Sequence, residues 1–403
     1  MTDIKRRAPR PAVQSYSSAR AHRVVSGPGA IDTLGAHLAR LGAQRAFVIT
    51  GRSVATKSSL IGQLKAAGNG RIVGVYDEMS AHTPLPDLVA ALDMARAADA
   101  DAIVAIGGGA VMDAGKYAVT CLSLGLRTPG EIRAFLAAQQ PDPPAIANML
   151  PQIAIPTTAS AAEFTRVAGI LDPDAKEKRR LDHPQIVPDV IIQDPQAVLF
   201  TPPDLWLSSA VRTLDHAVEG LYGPQATPFT DGLGKEAIRL LFRALPAFRA
   251  DPTDQSAIAD IQAATWLGAS CGNPAKTGLS HGIGYLLGAN FGVPHGHCSC
   301  ITLQHVTEWV RPAAVPQLAE VARAMGVATA QTPDVDAAAN VGPAIADLVA
   351  RIGQPTRARD ASVPSKDALL GLAANVMGLP HIPGSPRQPR DLAEAEALLA
   401  AMW

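Results

Sequence analysis

Three histidines in the second half of the chain have the residue type and spacing of a catalytic metal site. His281 and His295 lie fourteen residues apart, and His216 lies in an earlier segment, RTLDHAVEGLY, whose pattern is helical. Three imidazole nitrogens with one open position is a common arrangement for a catalytic metal. Arg212, one helical turn before His216, opposes this interpretation, because a guanidinium stays protonated and offers no lone pair to a metal. These residues alone leave open whether a metal binds.

A run of three glycines, Gly107, Gly108 and Gly109, is the second pattern with chemical meaning. It follows the apolar stretch DAIVAI and precedes a stretch with helical spacing. Glycines let the backbone approach an anion closely, and the amides at the start of a helix attract negative charge. We predict a phosphate-binding turn, although the spacing is not G-x-G-x-x-G. Thr157 and Thr158 follow another predicted strand, so we expect their hydroxyls to reach the same ligand.

The elements that position these residues change character near residue 200. Before it, amphipathic helical stretches alternate with apolar runs at 45–50, 71–77, 101–109, 152–158 and 189–195. This alternation predicts an α/β domain with a doubly wound parallel sheet. After it, long helical stretches separated by Pro and Gly predict an all-α domain. We therefore divide the chain into a flexible N-terminal tail, a dinucleotide-binding α/β domain and an α-helical substrate domain, at 1–22, 23–199 and 200–403.

Composition restricts the partners and the compartment. The 403 residues include 35 basic and 36 acidic side chains, so bulk charge predicts no nucleic-acid or membrane partner. Four scattered cysteines without a C-x-x-C pair indicate free thiols and a reducing compartment. No run reaches the roughly 18 apolar residues of a membrane helix, and the basic first residues lack the apolar core of a secretory signal. We expect a cytoplasmic protein.

Two longer segments resemble the iron-containing alcohol dehydrogenase family, part of the dehydroquinate synthase-like superfamily. GGGAVMDAGK is similar to the family motif GGGS-x-x-D-x-x-K, with Ala110 at the serine position. SHGIGYLLGANFGVPHGHCSCITLQHV is similar to its H-x-x-x-H-x-L-G…PHG…LPHV segment. The resemblance extends from about His22 to the C-terminus. Within the family, PTTASAAEFT, HTP at 82–84, DHPQIVPDVIIQDP and DHAVEGLY are most similar to the maleylacetate reductase branch.

This resemblance implies a metal site from which the chain departs at two positions. The family holds its metal with Asp-x-x-x-His and with two histidines fourteen residues apart, and these positions are occupied here by Arg212, His216, His281 and His295. Maleylacetate reductases carry Asn at the first position and are thought to work without a metal. The family's catalytic histidine is replaced by Tyr285. A guanidinium beside imidazoles repels a divalent cation, so we expect no metal.

We expect these five side chains to form a positive, hydrogen-bonding pocket instead. Arg212 suits a carboxylate, which it binds through two parallel hydrogen bonds. Tyr285 is a candidate donor of a proton to a developing alkoxide. A structural ion pair of Arg212 with Asp215 or Glu219 is the alternative for the arginine. A tyrosine packed in the core is the alternative for Tyr285.

The resemblance also implies a nicotinamide cofactor. Its pyrophosphate would lie on Gly107, Gly108 and Gly109. Asp113, Thr157 and Thr158 would contact the nicotinamide half, and Lys176 would lie near the ribose.

The choice of cofactor depends on the residues after the VIT strand. Family members that prefer NAD often carry Asp there, whereas this chain has Gly51, Arg52 and Ser53. Without that carboxylate, and with an arginine nearby, a 2′-phosphate is tolerated. We therefore expect NADPH or NADH as the cofactor.

Together these features predict an NAD(P)H-dependent reductase of a small carboxylate-bearing carbonyl compound, similar to maleylacetate reductase and independent of metal. The expected partners are a small carboxylate substrate and a second copy of the chain in a homodimer. Three alternatives remain open: a lyase, hydrolase or isomerase on the same scaffold, a metal-dependent alcohol dehydrogenase, and a protein that binds a ligand without turnover.

Overall fold

The computed structural model describes residues 23–403, and the predicted tail at 1–22 lies outside them. The described residues up to Pro202 belong to one compact unit, and Pro203–Trp403 form the body of a second. Within the described part of the chain, no helix has both the length and the apolar character that are needed to cross a membrane.

A six-stranded parallel sheet is the centre of the first unit, and a two-stranded antiparallel hairpin accompanies it. The strands are β1 Arg23–Ser26, β2 Ala46–Thr50, β3 Ile72–Tyr76, β4 Ala102–Gly107, β5 Gln152–Pro156, β6 Val167–Asp172, β7 Glu177–Asp182 and β8 Val190–Gln193. The sheet order is β1-β8-β5-β4-β2-β3, and β6 pairs with β7 in the hairpin. Every residue of β2, β4, β5 and β8 is buried, which explains their continuous apolar runs.

The described part of the first unit contains seven α-helices. They are α1 Leu34–Arg40, α2 Arg52–Lys57, α3 Leu60–Ala67, α4 Leu85–Ala97, α5 Gly109–Leu124, α6 Pro129–Ala137 and α7 Pro195–Val198. The chain leaves β2 toward β3 in one direction and returns to β4 on the other side of β2. The winding direction therefore reverses between β2 and β4, and in open α/β sheets ligands bind beyond the carboxyl ends of the strands at such a point.

The second unit is helical. Its helices are α8 Pro203–Tyr222, α9 Pro228–Ala250, α10 Gln255–Ala275, α11 Leu279–Phe291, α12 His295–Val310, α13 Val315–Met325, α14 Asp334–Ala339, α15 Val341–Arg351, α16 Lys366–Leu370, α17 Ala373–Met377 and α18 Leu392–Ala401. Capping side chains start several of them, such as Asp254, which accepts hydrogen bonds from the first amides of α10.

The position of α8 determines the chemistry of this unit. α8 packs against α9, α10 and α12, and all of its residues from Trp206 to Tyr222 are buried. The polar residues within that stretch are therefore held inside the unit, where they must find partners or a ligand.

Candidate active site

The ends of three neighbouring strands bring the predicted cofactor residues together. The last residue of β2 pairs with β4, and the last residue of β4 pairs with the last residue of β5. Three segments therefore lie side by side at the carboxyl edge of the sheet: Gly51, the glycine turn at 107–109 and the pair Thr157–Thr158. The amide of Thr157 donates to the Gly107 carbonyl at 2.9 Å, which ties two of these segments together.

The glycine turn has the geometry of an anion cradle. Gly107 has φ +153°, which favours glycine. A Cβ on Gly108 would lie 3.1 Å from the Thr158 methyl group, and one on Gly109 would lie 3.3 Å from Ser160 Oγ. Gly108 is also the N-cap of the sixteen-residue helix α5 and provides no side-chain cap. The turn therefore fits the diphosphate of a dinucleotide, which binds backbone amides at a helix start.

Asp113 lies one turn into α5 and contacts the hairpin. Its carboxylate accepts a hydrogen bond from the Gly169 amide at 3.0 Å. Burial raises the pKa of Asp113 to about 6, against the opposing effect of the Lys116 ammonium. The carboxylate therefore joins α5 to β6 beside the predicted cofactor turn.

Lys116, a residue of the glycine motif without a predicted role, anchors the segment after Thr158. Its ammonium donates to the Ala162 carbonyl at 2.6 Å, to Thr165 Oγ1 at 2.9 Å and to the Val167 carbonyl at 2.8 Å. Burial lowers the pKa of Lys116 to about 8. The two carboxylate oxygens of Glu163 nearby are buried and have no hydrogen-bond partner in the described chain, and burial raises the pKa of this residue to about 7.

The remaining predicted cofactor residues lie near the surface. Arg52 and Ser53 begin α2 and are exposed, and Arg52 forms an ion pair with Glu78. Lys176 is exposed in the turn between β6 and β7. Lys178 of the same hairpin lies 3.4 Å from His82 Nδ1.

In the helical unit, the five predicted catalytic residues form one cluster. The His216 and His281 rings lie 4.5 Å apart, edge to face. The Arg212 guanidinium carbon lies 5.4 Å from the centre of the Tyr285 ring, whose centre is 6.0 Å from that of His295. Arg212 and His216 are one turn apart on α8, so the arginine joins the two ring pairs.

Arg212 is a buried cation without a direct counter-ion among residues 23–403. It is 9% exposed, and its Nη1 lies 3.4 Å from Ser299 Oγ. Ser299 in turn donates to Asp215 at 2.7 Å. No ion pair joins the guanidinium to Asp215 or to Glu219 within the described chain. The arginine therefore keeps its capacity to bind an anion.

Tyr285 lies at the open side of this cluster. Its side chain is 46% exposed, and the His381 ring lies 5.3 Å from its ring. This exposure differs from that of a tyrosine packed in the core.

His281 is held from behind by two buried carboxylates. Its Nδ1 lies 2.8 Å from Glu219 Oε2 and 3.4 Å from Asp215 Oδ1, and its Nε2 is buried with no partner in the described chain. Burial and the Arg212 charge oppose protonation of this ring, but Asp215 and Glu219 outweigh them and raise the pKa of His281. Burial, then the His281 and Arg212 charges, lower the pKa of His216 well below its ordinary value, so this ring is neutral.

Two observations weigh against a resident divalent cation at this cluster. Among residues 23–403, Asp215, Glu219 and His281 form the one group of three potential ligands whose atoms lie within 4.8 Å of one another. Glu219, however, already accepts hydrogen bonds from the amides of Gly278 and Ser280 and from His281. The first metal position of the family holds a guanidinium, which repels a cation.

Sequence reasoning treated Asp215 and Glu219 only as possible ion-pair partners of Arg212, and it did not include Ser299 in the site. Asp215 and Glu219 follow Arg212 at three and seven residues, so all three lie on one face of α8. That spacing could have indicated that the two carboxylates lie beside Arg212 in the site. The contribution of Ser299 depends on the packing of α12 against α8, which no local pattern shows.

Comparisons with known proteins agree with this fold. Residues 21–195 match the family model described as iron-containing alcohol dehydrogenase, and residues 207–403 match the C-terminal model of the same family. Maleylacetate reductase 2 of Cupriavidus pinatubonensis is 30% identical over 75% of this chain and 76% of its own. Maleylacetate reductase of Sphingobium indicum is 28% identical over 83% of this chain and 85% of its own.

Solved structures of maleylacetate reductases share the fold of this chain. The maleylacetate reductase of Agrobacterium tumefaciens superimposes with a TM-score of 0.79 at 26% identity, over 97% of this chain and 99% of that one. The maleylacetate reductase of Rhizobium sp. strain MTP-10005 superimposes with a TM-score of 0.80 at 26% identity, over 98% and 99% of the two chains. The predicted fold and the predicted relationship are confirmed. The chain is a member of the iron-containing alcohol dehydrogenase family of oxidoreductases.

Proposed function

We propose that this protein is an NAD(P)H-dependent reductase of a small carbonyl compound that carries a carboxylate, and that it works without a resident metal. One observation supports this above the others: the buried Arg212 guanidinium has no carboxylate partner among the described residues. A buried guanidinium of this kind is costly unless it binds an anion. A substrate carboxylate is the anion that matches its two parallel donors.

The helical unit provides orientation and electrostatic stabilisation. Arg212 binds the substrate carboxylate and so fixes the position of the carbonyl group relative to the nearby rings. His281, whose protonated form is favoured by Asp215 and Glu219, donates a hydrogen bond from Nε2 to the carbonyl oxygen, and the Tyr285 hydroxyl donates a second one. Negative charge develops on this oxygen during reduction, so both donors stabilise it. Tyr285 donates the proton that this oxygen receives, and its exposure allows the proton to be replaced from solvent.

The α/β unit binds the cofactor. A nicotinamide cofactor supplies the hydride when it is bound. The amides that follow Gly108 receive its diphosphate, and Lys116 holds the segment after Thr158 in place through three hydrogen bonds. Asp113, Thr157 and Thr158 contact the nicotinamide half.

Maleylacetate is the first substrate to test, because the relatives of this chain include maleylacetate reductases. The experiment combines a metal analysis of the purified full-length protein with a screen of keto acids, using NADPH and NADH. The loss of nicotinamide absorbance reports turnover. The expected result is turnover of a keto acid by protein that holds no stoichiometric metal, with little turnover of the corresponding methyl ester.

Two results would contradict this proposal. Activity that is lost on chelation and restored by zinc or iron would indicate a metal-dependent dehydrogenase. Absence of dinucleotide binding together with absence of turnover would favour an enzyme without redox chemistry. The homodimer remains a prediction, and light scattering of the purified chain tests it.

A further inference from the structure

Arg52 and Glu78 form an ion pair where the strands β2 and β3 end. Arg52 directly follows Gly51 at the end of β2, and Glu78 lies two residues after β3. The Arg52 Nη2 lies 2.7 Å from the Glu78 Oε1. β2 and β3 are parallel neighbours, and the amide of Met79 donates to the Thr50 carbonyl at 3.1 Å. The backbone therefore holds the two segments together, so the pair has a fixed location in the fold.

The sheet order determines which part of a dinucleotide would meet this pair. The glycine turn lies at the end of β4, between β5 on one side and β2 with β3 on the other. If the diphosphate rests on that turn and the nicotinamide half lies toward Thr157 and Thr158 of the β5 side, the adenosine half extends toward β2 and β3. Gly51 contributes no side chain there. The charged residues that directly follow the two strands are Arg52 after β2 and Asp77 and Glu78 after β3, so these would lie nearest the adenosine ribose.

We propose that Glu78 is a specificity-determining residue, which sets the preference between NADH and NADPH by competing for Arg52. This inference rests on the proposed function. A 2′-phosphate carries nearly two negative charges and offers a guanidinium two acceptors, so its binding displaces Glu78 from Arg52. A 2′-hydroxyl leaves the ion pair intact and donates a hydrogen bond to the Glu78 carboxylate.

The exposure of the pair makes this competition possible. The Arg52 side chain is 74% exposed and the Glu78 side chain is 60% exposed. Ion pairs in such contact with water are weak because water screens them. A phosphate can therefore open the pair at small cost, and Glu78 tunes the preference without preventing NADPH from binding.

Titration calorimetry of the full-length protein with NADPH and with NADH tests this inference. We expect Glu78→Gln to tighten NADPH binding by about threefold, because Arg52 is released and a repelling carboxylate is lost. The same change should weaken NADH binding by about threefold through loss of a charged acceptor. Arg52→Gln should weaken NADPH binding by about thirtyfold and leave NADH nearly unchanged.

The double variant separates competition from simple repulsion. If Glu78 acts by holding Arg52, Glu78→Gln should tighten NADPH binding much less in a chain that already carries Arg52→Gln. Asp93→Asn is the matched control, because Asp93 is an exposed carboxylate of the same unit that pairs with Arg96 on α4. It should change neither dissociation constant.

The outcomes distinguish this inference from the proposed function. If both dinucleotides bind but Glu78→Gln leaves the ratio of their dissociation constants unchanged, the role of Glu78 is wrong while the reductase proposal stands. If Glu78→Gln tightens NADPH binding equally in the wild-type chain and in the chain with Arg52→Gln, competition for Arg52 is likewise contradicted. If neither dinucleotide binds the wild-type protein, the proposed function itself fails.

Discussion

His281 and Glu219 are joined by a buried hydrogen bond, with 2.8 Å between His281 Nδ1 and Glu219 Oε2. The same carboxylate accepts hydrogen bonds from the backbone amides of Gly278 at 2.7 Å and Ser280 at 2.8 Å. Glu219 of α8 therefore fixes both the start of α11 and the ring orientation of the histidine that α11 carries. Because Nδ1 is committed to Glu219, Nε2 is the nitrogen that His281 can offer to a ligand.

The first prediction concerns this contact. Glu219→Gln keeps an oxygen acceptor but brings an amide NH₂ close to the Nδ1–H group and removes the charge that stabilises the ring. We expect kcat to fall by about tenfold, as is usual for the loss of a group that orients a catalytic histidine. Steady-state kinetics give the rate, and ¹⁵N NMR of the His281 ring reports its tautomer.

Tyr222→Phe is the control for Glu219→Gln. The Tyr222 hydroxyl lies 3.3 Å from Glu219 Oε1, so its removal disturbs the carboxylate without breaking the contact with His281. This variant should retain a near-normal kcat and ring tautomer. Equal losses of kcat in the two variants would mean that Glu219 acts only through the stability of the fold.

The second prediction concerns whether the Arg212 guanidinium takes the place of a metal ion in this site. Arg212→Asp restores a carboxylate one turn before His216, next to His281. We expect zinc to be retained at about one ion per chain after dialysis, and KM for a keto acid to rise by about a hundredfold because two charged hydrogen bonds are lost. Elemental analysis and kinetics measure the two effects.

Arg212→Gln separates these two effects. It removes the guanidinium without supplying a carboxylate ligand, so KM should rise while the metal content stays at background. Substrate binding through Arg212 would be disproved if this variant kept the KM of the wild-type protein.

The architecture was predictable from the sequence because buried parallel strands leave a clear local pattern. The apolar runs predicted at 45–50, 71–77 and 152–158 contain β2, β3 and β5. β1 and the β6–β7 hairpin were missed. β7 has the sequence EKRRLD, whose charged residues are only compatible with a strand because the hairpin exposes them.

The site was predictable only in part. Spacing alone indicated only weakly that His216 and His281 converge, and the family resemblance placed them with Arg212 in one site. The structure brings these residues together. Complete burial of Asp215 and Glu219 was not predictable, because acidic residues at helical spacing usually form a solvated face. Their burial arises from the enclosure of α8 by other helices, which is a tertiary effect.

The third prediction concerns pH and the buried carboxylate of Glu163. Its pKa is about 7 in the folded chain and 4.5 as a free group, so the folded state binds the proton more tightly than the unfolded state. The resulting stabilisation is complete below the unfolded value and is lost as the pH rises through the folded value. Relative to wild type, Glu163→Gln should therefore gain about 2–3 kcal/mol of unfolding free energy between about pH 5 and about pH 8, measured by urea denaturation.

Asp172→Asn is the control with the opposite sign. Hydrogen bonds from Arg133 lower the pKa of Asp172 to about 2 from 3.8, so its contribution is present above the unfolded value and is lost as the pH falls through the folded value. Its effect on unfolding free energy should be the same at about pH 5 and about pH 8. A pH-independent effect of Glu163→Gln would show that this carboxyl group is not held protonated by burial.

The fourth prediction concerns the close packing of α10 behind His216. A Cβ on Gly272 would lie 2.6 Å from the His216 carbonyl oxygen, a backbone atom that cannot move without shifting α8. Gly272→Ala should therefore lower the unfolding free energy by about 1–3 kcal/mol. It should also raise KM, because Arg212 lies one turn from His216 on the displaced helix.

Gly232, within α9, has open space around its Cβ position, so Gly232→Ala should instead stabilise the protein by about 0.5–1 kcal/mol through helix propensity. Thermal unfolding and kinetics of both variants test this pair, and a neutral Gly272→Ala would mean that α8 and α10 can separate without cost to the site.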